Sequence, residues 1–261
     1  WHDFSSNVGD PNDRRDGSTW RFPDEVVIDQ LNVDITNILD TNWSVRLGRQ
    51  DFILGNGMVL LEGTPYDTGR SIYFDGISAT FANECDTLRL FAFYNDYKDR
   101  TLVIFNDQNR RLRRGDTWIA GGEWIHRFMD ELNSDLYYLH IDIDDDRNSA
   151  AEAIERNHDA DENAKLDIVG GRLFGSLHPQ VEYSGEVAFQ FGEGIDPTSG
   201  NVADFSGLMA DLRLKLRAPE NTFLNPVLML SYTYMSGDDL GSNDELEGWH
   251  PALAEYPIWR E

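Results

Sequence analysis

The chain has 261 residues and carries 47 Asp and Glu against 22 Lys and Arg, a formal net charge of -25. This balance argues against a nucleic-acid partner, because phosphate binding requires a basic face. Seven Trp, ten Tyr and fourteen Phe argue against a disordered acidic chain. A single cysteine, Cys85, excludes an intrachain disulfide and a cysteine zinc site.

No stretch reaches the about 18 apolar residues that a membrane helix requires, and no signal peptide begins at Trp1. These findings do not exclude a membrane β-barrel, because barrel strands alternate apolar and polar residues and their mean hydropathy is polar.

Alternation with a period of two predicts about ten strands. In chain order they cover 31–36, 43–53, 72–81, 88–94, 118–128, 137–142, 166–174, 181–191, 208–216 and 228–234. The clearest is 181–191, where Val187 and Phe189 share an apolar face and Glu182 and Glu186 a polar one. A helical period would scatter the leucines that share one face of 208–216.

The connections between these strands alternate in length. The short ones are 38–42, 82–86, 129–134, 175–180 and 217–226, and the long, polar ones are 54–70, 96–115, 143–165, 192–204 and 236–261. Tight turns at one end and long loops at the other are typical of an outer-membrane barrel, and rare in soluble sandwiches. The sequence therefore predicts an all-β fold, an antiparallel up-and-down transmembrane β-barrel that forms a single domain over 1–261.

The ends of the chain bear on how much of the barrel is present. Strands in lipid must close into a ring, because no backbone group can stay unpaired there. Residues 1–20 and 255–261 are loop-like and polar. We therefore expect a chain that is truncated at both ends and supplies part of a larger barrel.

Several patches resemble the alginate-export family of outer-membrane porins. They are Arg46–Phe52 with its Gly-Arg-Gln element, Leu54–Gly57, Arg70–Gly76 with its Phe-Asp-Gly element, Phe22–Glu25 and Tyr232–Asp238. The resemblance spans most of the chain. It implies a monomeric barrel of about eighteen strands in the outer membrane of a Gram-negative bacterium. An arginine-lined lumen would pass an anionic polysaccharide or another small anionic solute, with no reaction and no cofactor.

The resemblance places Arg46, Arg49 and Arg70 in or near the pore. Alternation agrees for Arg46, whereas Arg49 has the opposite parity unless a bulge intervenes. Strand arginines are driven inward in general, because one facing lipid near mid-membrane costs about 2 to 4 kcal/mol. By these arguments the further residues expected on the pore wall are Arg89, Arg213, Lys215, Asp34, Asp142, Glu182, Glu186 and Asp211. The sequence leaves two roles open for these arginines: they contact the passing solute, or they pair with carboxylates and stabilise the wall.

Segment 54–70 is the expected constriction of the pore, on the strength of Gly55, Gly57, Gly63 and Gly69. A flexible external loop is the alternative. The aromatics Trp43, Trp118, Trp124, Tyr232 and Tyr234 are expected at the lipid interfaces, where barrels place such residues.

Other chemistry finds little support. The acidic run 140–148 fails the helix-loop-helix calcium motif, because Arg147 replaces its glycine and Ala153 its glutamate. A looser calcium site among Asp144, Asp146, Asp238 and Asp239 is an alternative to a solvated acidic loop. None of the six histidines has metal-binding or catalytic spacing. We expect a protein that is not an enzyme.

Two other functions stay open beside the pore. One is a soluble β-rich carbohydrate-binding module or polysaccharide-acting enzyme, which would dissolve without detergent. The other is a barrel component of a larger envelope complex, whose loops would bind partner proteins. The expected partners of a pore are outer-membrane lipid and a small anionic solute or acidic polysaccharide.

Overall fold

The computed structural model describes residues 28, 30–61, 73–96, 116–129, 131–144, 164–195, 202–219, 222–237 and 245–249. Its strands are β1 (Leu31–Ile35), β2 (Trp43–Gln50), β3 (Phe74–Ala82), β4 (Asp86–Asn95), β5 (Asp116–Met129), β6 (Leu132–Asp144), β7 (Lys165–His178), β8 (Val181–Ile195), β9 (Val202–Arg217), β10 (Val227–Met235) and β11 (Glu245–Leu246). A short 3-10 turn, Ile38–Asp40, lies between β1 and β2. In these ranges no helix is long and apolar enough to cross a membrane.

All strands belong to one sheet. From β1 to β10 each strand pairs antiparallel with the next in sequence, and β11 lies parallel to β9 beside Asp204 and Phe205. The prediction of an all-β up-and-down meander is confirmed. Within the described residues β1 and β10 do not pair with each other, so the sheet is open. A closed barrel of about eighteen strands stays a prediction.

The connections keep the predicted alternation of length. Turns such as 83–85 and 179–180 join the strands at one end, and longer segments such as 51–73 and 145–164 join them at the other. Several boundaries were wrong: β6 begins at Leu132 and not at 137, β7 extends to His178, and β11 lies within the expected loop 236–261. The expected loop 192–204 spans only 196–201, because β8 and β9 stay paired up to Ile195 and Val202.

The two faces of the sheet differ in chemistry. On the outer face, large apolar side chains stay exposed to the surroundings. They include Leu31, Val33, Leu47, Ile77, Leu90, Leu136, Val169, Leu173, Val187, Phe189, Phe191, Leu212, Leu228 and Leu230. Exposed apolar patches of more than a few hundred Å² mark interaction or membrane surfaces. This face is therefore suited to lipid.

Aromatic residues mark the same outer face near both ends of the strands. All five aromatics expected at the lipid interfaces lie on it. Trp43 packs against Phe81 across β2 and β3, with ring centroids 5.5 Å apart. Trp118 packs against Tyr94 across β4 and β5 at 4.7 Å.

The buried core lies on the opposite, inner face of the sheet. It includes Phe91 and Phe93 of β4, Ile119 of β5 and Leu139 of β6. Residues 51–61, here called the inner loop, follow β2 and cover this apolar area with Leu54, Met58, Val59 and Leu60. The chain thus folds a loop onto the face that would line a barrel.

An arginine placed at Val187, in the middle of β8, tests the assignment of the outer face. If lipid covers this face, Val187→Arg lowers the free energy of unfolding by about 2 to 4 kcal/mol. The matched control is Leu39→Arg in the β1–β2 turn, where the side chain is 91% exposed. Denaturant unfolding from lipid vesicles measures both. A solvated surface would give a cost within about 0.5 kcal/mol at both positions, and that result would contradict the assignment.

Candidate functional site: the inner wall and its loop

The inner loop crosses the inner face as a tight hairpin-like turn. The Leu54 N–H donates to the Leu60 carbonyl at 3.0 Å, and the Gly57 N–H donates to the Leu54 carbonyl at 2.9 Å. Phe52 packs on Phe91 and Phe93, with ring centroids at 4.6 and 5.3 Å. Apolar packing therefore anchors the loop on both sides of its tip.

The tip of this loop is Gly55-Asn56-Gly57. Both glycines have positive φ, +57° at Gly55 and +81° at Gly57, a region that residues with a Cβ rarely adopt. A Cβ on Gly55 would also overlap the carboxylate of Glu186. Backbone conformation and close approach to the wall both require glycine at position 55.

Asn56 joins the tip to the wall through its backbone and its amide. The Asn56 N–H donates to Glu186 Oε2 at 2.7 Å, and its Nδ2 donates to Asp211 Oδ2 at 3.0 Å. Its Oδ1 accepts from Arg172 Nη1 and from Ser184 Oγ, each at 3.0 Å. The amide therefore donates to an acid and accepts from a cation at the same time.

Three arginines hold the backbone carbonyls of the loop. Arg89 Nη2 donates to the Ile53 carbonyl at 2.9 Å, and Arg172 Nη1 donates to the Gly55 carbonyl at 3.1 Å. Arg213 Nη2 donates to the Asn56 carbonyl at 3.3 Å. The loop tip is thus bound to β4, β7 and β9.

Each of these arginines is also paired with a carboxylate of the wall. Arg89 pairs with Glu123, Arg172 with Asp135 at 3.1 Å, and Arg213 with Asp211 at 2.6 Å. We call these residues and Glu186 the charge belt: Arg89, Glu123, Asp135, Arg172, Glu186, Asp211 and Arg213. Within the described residues, both Asp135 oxygens and Arg172 Nε make no hydrogen bond of good geometry.

The belt is cationic where it is accessible. Its arginine side chains are 26%, 16% and 29% exposed, whereas the carboxylates paired with them are at most 1% exposed. Glu186 is fully buried, and its Oε1 accepts from the Tyr137 hydroxyl at 2.6 Å. A molecule that reaches the belt meets guanidinium groups first, although carboxylates outnumber them.

Comparison with known families agrees with this architecture. The family model described as alginate export matches residues 11–253. The chain belongs to the alginate-export family. That family consists of outer-membrane porins and is not a family of enzymes. Among curated proteins, no significant match is found.

In this alginate-export chain the predicted wall residues fall into separate groups. Arg89, Glu186, Asp211 and Arg213 lie together in the charge belt. Glu182 lies closer to the turns, with Lys215 Nζ at 3.5 Å and Arg217 Nη2 at 2.9 Å. Arg46 and Asp34 form their own inner-face pair, with Arg46 Nε 2.6 Å from Asp34 Oδ1. That these residues line a pore stays a prediction.

Two predicted placements require correction. The register between β2 and β3 is continuous, with no bulge, so Arg49 lies on the outer face opposite to Arg46. There it donates two bonds to Asp75, each 2.9 Å long, and its guanidinium lies 3.5 Å from the centroid of the Tyr73 ring. Asp142 also lies on the outer face, because its strand turns Leu139 and Ile141 inward.

The structure describes only some of the other predicted residues. Gly55 and Gly57 lie in the inner loop, whereas Arg70, Gly63, Gly69, Asp146, Asp238 and Asp239 lie outside the described residues. Asp144 is exposed at the end of β6. The described part of the chain contains no group of three or more His, Cys, Asp or Glu that could hold a metal ion.

Alternation did not single out Arg172, Glu123, Asp135 or Asn56. Arg172 shares its face of β7 with Leu166 and Ile168, which resembles a lipid-facing row in the sequence. The one local signal for Asn56 is its position between two glycines in a predicted constriction.

The Tyr137 hydroxyl offers a test of how strongly the belt is coupled. Tyr137→Phe removes a hydrogen bond from the buried Glu186, so the free energy of unfolding falls by about 1 to 3 kcal/mol. Tyr232→Phe removes a hydroxyl from an outer-face residue that is 62% exposed, and serves as control. Denaturant titration in vesicles compares the two. Equal stability of both variants would show that the Tyr137 bond contributes nothing.

Proposed function

We propose that the chain forms the wall of a passive outer-membrane pore for anionic solutes or acidic polysaccharide, narrowed by its inner loop. The observation that carries the proposal is the opposite chemistry of the two strand faces. The outer face is apolar and exposed, and the inner face holds a charge belt whose accessible groups are arginines. Membership of a porin family supports the same function.

The inner loop is the proposed constriction. It lies on the face that becomes the lumen when such a sheet closes, and its tip reaches Ser184 of β8 and Asp211 of β9. A loop that crosses from β2 to β9 narrows the opening at the level of the charge belt. Fixed charges and a narrow section are the features that set selectivity in channels.

The exposed apolar face argues against the soluble alternative. A soluble module would bury the row of Val187, Phe189 and Phe191 against protein, yet these side chains are 42%, 55% and 48% exposed. Passage through the lumen requires no bond to be broken. The pore is therefore proposed without a catalytic residue or cofactor.

Conductance of the full-length protein in planar bilayers tests the function. In asymmetric KCl we expect steady channels whose reversal potential has the sign of anion preference. The physical reason is that a permeating ion meets the belt's guanidinium groups before its carboxylates. A water-soluble product without conductance would overturn the pore, and cation preference would overturn the anionic cargo.

Arg217 allows a finer test of the lumen. Its side chain is 43% exposed on the inner face, beside Glu182. Arg217→Glu is expected to move the reversal potential toward cations. Lys165→Glu on the outer face of β7 makes the same charge change and should leave the reversal potential unchanged. Equal shifts in both variants would mean that the conduction path does not follow the inner face.

A further inference from the structure

The charge belt has more carboxylates than guanidinium groups. Its carboxylates are Glu123, Asp135, Glu186 and Asp211, and its guanidinium groups are those of Arg89, Arg172 and Arg213. All four acids are at most 1% exposed, so bulk water does not solvate them. A buried charge without a partner is costly. The belt therefore requires one further positive charge.

Asp135 is the acid on which this shortage falls. It is fully buried, yet neither of its carboxylate oxygens makes a hydrogen bond of good geometry within the described residues. Its cation is Arg172, with Nη2 3.1 Å from Asp135 Oδ2. The same guanidinium donates from Nη1 to the Gly55 carbonyl and to Asn56 Oδ1. Arg172 is thus shared between the acid and the inner loop.

The other three acids of the belt each accept a hydrogen bond from a side chain of the wall. The donors are Arg89 for Glu123, Tyr137 for Glu186, and Thr233 and Arg213 for Asp211. Asp135 differs from these acids because the described part of the wall offers it no such donor.

Glu123 is a neighbour of Asp135 on the inner face. In the register of β5 and β6, Glu123 lies opposite Tyr137 and Asp135 lies opposite Ile125, so the two acids are diagonal neighbours. Their side chains are within hydrogen-bonding reach of each other. Two carboxylates cannot both stay ionised in such a contact, whereas one proton between them turns the repulsion into a hydrogen bond.

From the charge count and this contact we propose that the charge belt binds one proton, which Asp135 holds and donates to Glu123. The proton comes from water when the wall folds, and it removes the excess negative charge of the belt. A metal ion could supply the same charge, but the described residues contain no group of three or more His, Cys, Asp or Glu that could hold one. The inference goes beyond the pore function, because it concerns how the wall is neutralised.

The charged groups around the Glu123–Asp135 pair leave the carboxyl groups as the place for this proton. Arg89 of β4 and Arg172 of β7 face the pair, and Glu186 of β8 lies opposite Arg172. Both guanidinium groups keep their own protons in a protein. The Tyr137 hydroxyl of β6 already donates to Glu186.

Infrared spectroscopy of the full-length protein at neutral pH tests the proposal. Vesicles of ether-linked phosphatidylcholine are suitable because they contribute no ester carbonyl band. A protonated carboxylic acid has a C=O stretching band that carboxylates lack and that shifts in D2O. We expect this band in the unmodified protein and its loss in Asp135→Asn. Glu182→Gln removes an inner-face acid outside the belt, 42% exposed, and should keep the band.

A second measurement compares two substitutions of nearly unchanged shape. Asp135→Asn imitates the protonated acid, because its amide can still donate to Glu123, so the denaturant midpoint of unfolding should stay at or above that of the unmodified protein. Glu123→Gln removes the charge that pairs with Arg89, and its midpoint should fall. Heat-modifiable migration on gels checks that each variant is folded.

Three results would overturn the proposal. The first, which requires no variant, is an unmodified protein without the protonated-acid band. The second is a band that persists in Asp135→Asn, because the proton would then lie on another group. The third is an Asp135→Asn midpoint as low as that of Glu123→Gln, which would show that Asp135 is an ionised partner of Arg172. None of these readouts depends on conductance, so a failure of the proposed pore is a separate result.

Discussion

A side chain on a membrane-spanning strand faces either lipid or lumen, and lipid accepts almost no charge. This constraint explains why the seven residues of the charge belt share the inner face. These seven residues lie on β4 to β9, and each of these strands is adjacent to the next in the sheet. Once gathered and buried, each charge requires a partner, because an unpaired buried ion is far more costly than a paired one. The arginine–carboxylate pairs follow from that requirement.

Pairing with a carboxylate does not use every donor of a guanidinium. Five N–H groups point in fixed directions, and a single carboxylate takes at most two of them. The remaining donors of Arg89, Arg172 and Arg213 point at the inner loop, whose carbonyl oxygens accept from them. The location of the loop therefore depends on these charges as well as on its apolar packing. At its Gly-Asn-Gly tip, the carbonyls of Gly55 and Asn56 accept from Arg172 and Arg213. Asn56 in turn donates to Glu186 and Asp211.

The sequence was informative where the inner face is polar and misleading where it is apolar. Alternation placed Glu186 and Asp211 on the inner face correctly, because their strands have polar residues on one side and leucine or aromatic residues on the other. It failed for Asp142, because Leu139 and Ile141 are apolar yet face inward. Those two residues pack in the same core as the inner loop, a contact between distant parts of the chain that no local pattern contains. Alternation also gave Arg49 the face opposite to Arg46, as the structure has it, whereas the resemblance placed Arg49 in the pore. The position of Asn56 depends on its bonds to the wall, which a period of two does not contain.

The acidity of the whole chain and the cationic surface of the belt act on different parts of transport. A net charge of -25 resides largely outside the belt, in polar connections that alternate with the strands. At physiological salt such charges act over only about 8 Å, so in the proposed pore they influence a polyanion at the mouth and not within the lumen. At the belt, a solute contacts the side chains that are exposed and not those that are most numerous. The arginine side chains are more exposed than the carboxylates paired with them. In the proposed passive pore neither set of fixed charges drives net flow, because such a pore only relaxes an existing gradient. In this proposal the charges set how readily a polyanion enters, and the direction of transport follows from which side supplies it.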